Sequence, residues 1–135
     1  MDKLFDLTIY IHNGEHEDGF HIGLFSTREQ AESVADRYLR EVSGFKDYDC
    51  MPRVFEFPVI GAVEHTRQVY RFVGWNTNAD FDEVDILVSS CFVDRNEAEM
   101  ALSQAKEVTQ REEWVLNCHI IGQCDWAEGF VRVFD

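Results

Sequence analysis

Phe25-Ser-Thr-Arg-Glu-Gln-Ala-Glu32 and Phe92-Val-Asp-Arg-Asn-Glu-Ala-Glu99 decide the fold, because they are two versions of one helix start. Thr27 and Asp94 have the side-chain oxygens that accept from orphan amides of a first turn. Gln30 and Glu97 stand three residues on, where a capping box places its second member. Each stretch follows an apolar, strand-like run ending in Phe. Each is followed by a further strand-like run ending in the same dipeptide, Ile60-Gly61 and Ile121-Gly122.

Working outward, residues 26–43 place Ala31, Val34, Ala35, Tyr38, Leu39 and Val42 at helical spacing, a single apolar stripe, and Gly44 is suited to the position just past the helix. Residues 94–110 repeat the pattern with Ala98, Ala101, Leu102, Ala105 and Val108. Period-two and apolar runs predict strands over 4–12, 20–25, 54–60, 69–74, 84–92, 114–121 and 130–134, with Asn13-Gly14 and Asp18-Gly19 marking a turn between the first two. The order is β-β-α-β, twice, plus a short C-terminal strand. A single such unit cannot cover both faces of its own sheet. The expectation is therefore an α+β fold of two tandem β-β-α-β units sharing one core, with a mixed or antiparallel sheet and both helices on one face. The pseudo-repeats span about 4–61 and 68–122 of one domain, 1–135. The join, 62–67, has no Pro/Gly/Ser-rich linker.

Glu17-Asp-Gly-Phe-His-Ile-Gly-Leu-Phe-Ser-Thr-Arg-Glu-Gln-Ala-Glu32, together with Gly44-Phe-Lys-Asp-Tyr48, resembles a family of small uncharacterised bacterial domains, a domain of unknown function. Its members share a Gly-hydrophobic-Phe/Tyr-Ser lead into a helix and a Gly-Phe-basic-Asp-Tyr exit. The similarity covers about residues 7–60, and Asp49 stands where the family carries Pro. The resemblance implies a fold unit and a bacterial source, and no activity.

Composition narrows the classes of function. Hydrophobic residues make up 45% of the 135, including 11 Phe, enough apolar surface to offset the ordering entropy of a charged chain. The net charge of −14 is spread over both halves: 7 basic and 13 acidic side chains in residues 1–67, 5 and 13 in residues 68–135. Such a field repels phosphate backbones and anionic lipid, so neither nucleic acid nor membrane is an expected partner, whereas a basic protein is allowed. The chain has no apolar run near the roughly 18 residues that span a bilayer. Residues 1–6 lack a basic region leading into an apolar stretch, so the expected location is cytoplasmic. There Cys50, Cys91, Cys118 and Cys124, with no C-x-x-C spacing, are expected as free thiols.

Three constellations are candidates for chemistry. His12, His16 and His21 lie within ten residues among Glu15 and Asp18, and a hairpin from 13 to 19 would set His12 opposite His21 as a divalent-metal site. Cys118, His119 and Cys124 are zinc-type ligands, but strand alternation sends Cys118 to the face of Trp114, Leu116 and Ile120, read as core, and His119 to the other. Asn76, Asn78, Asp80 and Asp82 match positions 1, 3, 5 and 7 of a calcium loop, yet Phe81 replaces the Gly at position 6 and Leu87 the Glu at position 12. No bound metal or cofactor is therefore expected. The same loop has a second reading: Asp80, Asp82, Glu83 and Asp85 ring Trp75 and Phe81, aromatic anchors among charges of one sign. Gly-rich phosphate loops, G-x-S-x-G and H-E-x-x-H are absent from the sequence. The leading expectation is a non-catalytic acidic interaction domain, inhibitor- or immunity-like, that holds a basic partner through Trp75, Asp80, Phe81, Asp82, Glu83 and Asp85. The alternatives are a small-molecule or metal binder at the His12–His21 hairpin, and an enzyme with an unrecognised site.

Overall fold

The structure, a computed structural model, describes residues 2–13, 16–64 and 66–131. Among these the protein is mixed α+β, in the order β1 (Lys3–Asn13), β2 (His16–Phe25), α1 (Arg28–Glu41), β3 (Cys50–Ile60), β4 (Gln68–Thr77), β5 (Glu83–Val88), β6 (Cys91–Phe92), α2 (Arg95–Val108) and β7 (Glu113–Ile120). Both helices lie where the two capping signatures put them. The Thr27 side chain accepts from the Gln30 amide at 3.1 Å, and the Asp94 carboxylate from the Asn96 amide at 2.9 Å. Each cap therefore satisfies an amide that the helix itself leaves without an acceptor.

The chain divides into two compact units, and the division falls inside β3. One unit is Lys3–Phe57 with Ile121–Asp135. Here the strand order is β2-β1-β3, and β1 and β2 form an antiparallel hairpin whose register shifts between Leu7 and Thr8. Helix α1 closes the core with Ala31, Ala35 and Tyr38 against Leu7, Ile9, Ile22, Phe25 and Phe45, all buried. The C-terminal segment completes this unit. The Gly122 amide donates to the Leu24 carbonyl at 2.8 Å, the Asp125 amide to the Ile22 carbonyl at 2.7 Å, and Phe130 stacks on Phe20 at 4.6 Å between centroids. Phe130 lies outside any strand, so the expected 130–134 strand does not begin where the sequence suggested; residues 132–134 of that expectation lie outside the described residues.

The other unit is Pro58–Ile120 with Met1–Asp2. In it β4 is central: β7 pairs antiparallel along one side, β5 and β6 along the other, and the last residues of β3 run parallel to β6. This parallel pair makes the strand arrangement mixed. Among the described residues Phe72, Phe92 and Ala98 form one buried cluster of this unit, with Trp114, Leu116, Leu87, Ala101, Leu102 and Ala105 packed around them, and Val59, Val69 and Cys91 are buried as well. The expected single strand over 84–92 is two strands. The Ser89 hydroxyl accepts the Phe72 amide at 2.9 Å and donates to the Ser90 carbonyl at 2.8 Å, so a side chain replaces a rung of the ladder and ends β5.

Candidate functional site

The loop between β4 and β5 is built by one asparagine. Asn78 Oδ1 accepts from the amides of Asp80 and Asp82 at 2.9 and 3.0 Å. The Asn78 amide donates to the Asp82 carbonyl, and the Phe81 amide to the Asn78 carbonyl. This knot forces Phe81 to φ +64°, left-handed backbone that a bulky residue rarely adopts. Phe81, standing where a calcium loop carries Gly, nevertheless makes the sharp turn, in the glycine-like conformation. Phe81 is 88% exposed, so its ring stands in water and does not fold back.

A second strained residue follows. Gly74 pairs with Leu87 and Asn76 with Val84, so Asp85 and Ile86 oppose Trp75 alone in a β-bulge, with Asp85 at φ +53°. Asn76 braces the bulge: its amide nitrogen donates to Asp85 Oδ2 at 3.2 Å, and its Oδ1 accepts the Glu112 amide at 3.0 Å. Arg111 Nε donates to the Asp85 carbonyl. The side-chain oxygens of Asn76 and Asn78 are thus taken by backbone amides. Leu87 packs beside Phe72, so the calcium pattern supplies neither its first two ligands nor its last.

The loop is therefore an exposed acidic rim. Asp80, Asp82, Glu83 and Asp85 are all solvent-exposed, and among the described residues none of their carboxylates pairs with a base. Trp75, half-buried, sits opposite Glu113 of β7. The strand pairing thus brings all six expected residues to one end of this unit, and adds Glu112 and Glu113 to the same rim. Those two were missed because β7 reaches this place only through its antiparallel pairing with β4.

The histidine hairpin is corrected. The register pairs His12 with Glu17, Thr8 with His21 and Asn13 with His16, so the connection is shorter than 13–19 and the first and last histidines lie four strand positions apart. That is roughly 13 Å of strand, too far for one ion. His21 instead meets the buried Asp6, Nε2 to Oδ2 at 3.0 Å, and Asp6 also accepts the Thr8 hydroxyl at 2.9 Å. The side chain of His16 lies outside what the structure describes. Among the described residues no group of three His, Cys, Asp or Glu side chains is placed to hold a metal. Cys118 is also corrected. It lies on the expected face of β7, opposite Tyr70, but is exposed where core was expected; all four cysteines are free thiols.

The first-half unit holds an open cleft of about 490 Å³ lined by Phe25, Glu29, Ser33, Val34, Arg37 and Cys124. Arg37 Nη2 lies 3.7 Å from Cys124 Sγ. Beneath it Tyr38 donates its hydroxyl to the Asp125 carbonyl at 2.8 Å, and burial, reinforced by Cys124, raises the phenol above its usual pKa. No helix is long and apolar enough to cross a membrane among the described residues. Comparison with family models, curated proteins and solved structures finds no match to this chain.

Proposed function

We propose that this chain is a non-catalytic, cytoplasmic interaction domain of bacterial origin, inhibitor- or immunity-like, whose β4–β5 loop holds a basic protein. The observation that carries this reading is Phe81, 88% exposed and strained at φ +64°, standing among carboxylates that form no ion pair among the described residues. An exposed aromatic in a disfavoured conformation adds nothing to the free fold. Beside a cationic partner it offers an anchor, and like charges around it speed encounter. The test is a pull-down from the native host at low salt with three proteins: wild type, the variant Asp80→Asn/Asp82→Asn/Glu83→Gln/Asp85→Asn, and Phe81→Gly. Glycine suits that backbone, so Phe81→Gly leaves the fold at least as stable while removing the anchor. Both variants are expected to lose the partner; equal capture by all three would place the epitope elsewhere.

The reading extends to the duplication. Supporting it are the paired caps at Thr27 and Asp94, and the positive φ of Gly61 and Gly122 after matching isoleucines. An experimental structure in which 4–61 fails to superpose on 68–122 would end it. One observation favours a second reading, a small-molecule binder: the Arg37–Cys124 cleft, whose mouth would take a partly apolar anion. Protection of Cys124 from alkylation by a carboxylate ligand, lost in Arg37→Ala, would support that alternative.

A further inference from the structure

We infer that the basic partner binds through an apolar patch seated on one face of the β5-β4-β7 sheet, with the acidic loop as its rim rather than as the whole site. This rests on the interaction reading above and states what the partner must look like.

Register and burial define the face. Val73 pairs with both Val88 and Val115, so the three side chains share one side of the sheet. Trp75, two residues on, joins them, and Ile86 stands two before Val88. The opposite side is occupied. There Trp114 lies so close over Gly74 that a Cβ added to Gly74 would meet its ring at 2.5 Å, and Phe72, Leu87 and Leu116 pack beside α2. The Val73 side carries no such cover at this end: Ile86 is 55% exposed, Val88 40% and Val115 38%. Five apolar side chains on three adjacent strands, three of them open to water, form a contiguous patch of the kind that marks an interaction surface.

Charge identifies the occupant. Asp80, Asp82, Glu83, Glu112 and Glu113 are exposed around one end of this patch. Arg111 is the base tied to that end, through its bond to the Asp85 carbonyl. A second copy of the chain, also at −14, would bring the same sign against this rim, so self-association is disfavoured. Complementarity therefore calls for a partner that presents aliphatic or aromatic side chains bordered by Lys or Arg. The Asp85–Ile86 bulge is what joins the two parts of the site. Asp85 belongs to the acidic rim and Ile86 to the apolar patch, and a bulge sharpens the local twist of the strand that carries both.

The full chain, isotopically labelled, is titrated with two synthetic peptides of equal charge, one alternating Lys with Leu and one alternating Lys with Ser. Amide shifts locate binding. The Lys/Leu peptide is expected to perturb 73–75, 86–88 and 113–115 and to bind at least ten-fold more tightly than the Lys/Ser peptide. Ile86→Thr/Val88→Thr/Val115→Thr keeps β-branched residues at exposed strand positions, so the fold is retained. It should erase that ten-fold preference and leave Lys/Ser binding unchanged. Equal affinity for the two peptides, lost together in the loop-neutralised variant, would overturn this inference and leave the acidic-loop reading standing. Shifts confined to regions away from both loop and face would overturn both. Sedimentation showing a wild-type dimer that the triple variant dissociates would assign the face to self-association and also overturn the inference.

Discussion

The two helices start alike and settle into different company. Helix α1 buries Ala31, Ala35 and Tyr38, and around Tyr38 an aromatic group forms: Phe45 lies 5.3 Å from it, 5.4 Å from Phe20 and 4.9 Å from Phe130. Helix α2 buries Ala98 alone, while Met100 and Val108 are 65% and 82% exposed. A capping signal thus fixes where a helix begins, but the residues facing it across the core decide how much that helix is worth. The first-half unit concentrates packing. The second-half unit, with a thinner core, keeps open the face and rim on which a partner would sit.

The largest expected effect tests that contrast. Phe45→Ala removes a 1%-exposed ring at the centre of the aromatic group and should cost about 3–5 kcal/mol in urea unfolding. Leu102→Ala, half-buried on α2, should cost about 1–2. Equal losses would break the comparison. Thr27→Ala and Asp94→Ala are expected to cost about 1 kcal/mol each, because both remove an acceptor from one first-turn amide. A loss confined to Thr27 would show that only the better-packed helix depends on its cap.

Two pH effects should separate further. The Tyr38 phenol, buried beside Cys124, ionises above its usual value near 10, and its neutral form donates to Asp125. The stability it lends is fully present below the unfolded phenol's pKa and falls as pH rises through the folded one. Unfolding midpoints between neutral and strongly alkaline pH should drop more for wild type than for Tyr38→Phe. Glu56, held low by Arg28 and then by Lys3, has the opposite sign: its contribution is present above the usual carboxylate range and fades as pH falls. Being exposed, it should disappear in high salt. The smallest effects are expected from Val108→Ala, within about 0.5 kcal/mol, and from chelator, which should leave the melting temperature unchanged. A clear drop with chelator would return attention to His12, His16 and His21.

Local chemistry was the legible part of this sequence. The helices expected over 26–43 and 94–110 form over Arg28–Glu41 and Arg95–Val108, because caps and apolar stripes are written within single turns. The six loop residues were legible as an acidic, aromatic cluster for the same reason. What lay hidden depends on pairing partners distant in sequence. Ser89 ends β5 because its hydroxyl accepts the Phe72 amide, which period-two patterning does not encode. The hairpin register, set by a turn shorter than the one read from Asp18-Gly19, parts His12 from His21. Alternation gave Cys118 the right face, but that face is covered only near Trp114 and Leu116, so the thiol is exposed. The sheet face of Val73, Val88 and Val115 could not be found before the register was known.

The return of the C-terminal segment to β2 has a consequence for how the protein is made. Leu24 and Ile22 offer their carbonyls to Gly122 and Asp125, and the Phe20 ring waits for Phe130, roughly a hundred residues downstream. A ribosome adding about 5–20 residues per second needs several seconds or more to cover that distance. Throughout that interval the N-terminal hairpin and α1 are present without their last layer, Phe20 lacks its stacking partner, and one edge of β2 is unsealed. The better-packed unit is thus the later of the two to be completed, and the nascent chain must keep an apolar surface from other chains until residues 122–130 emerge.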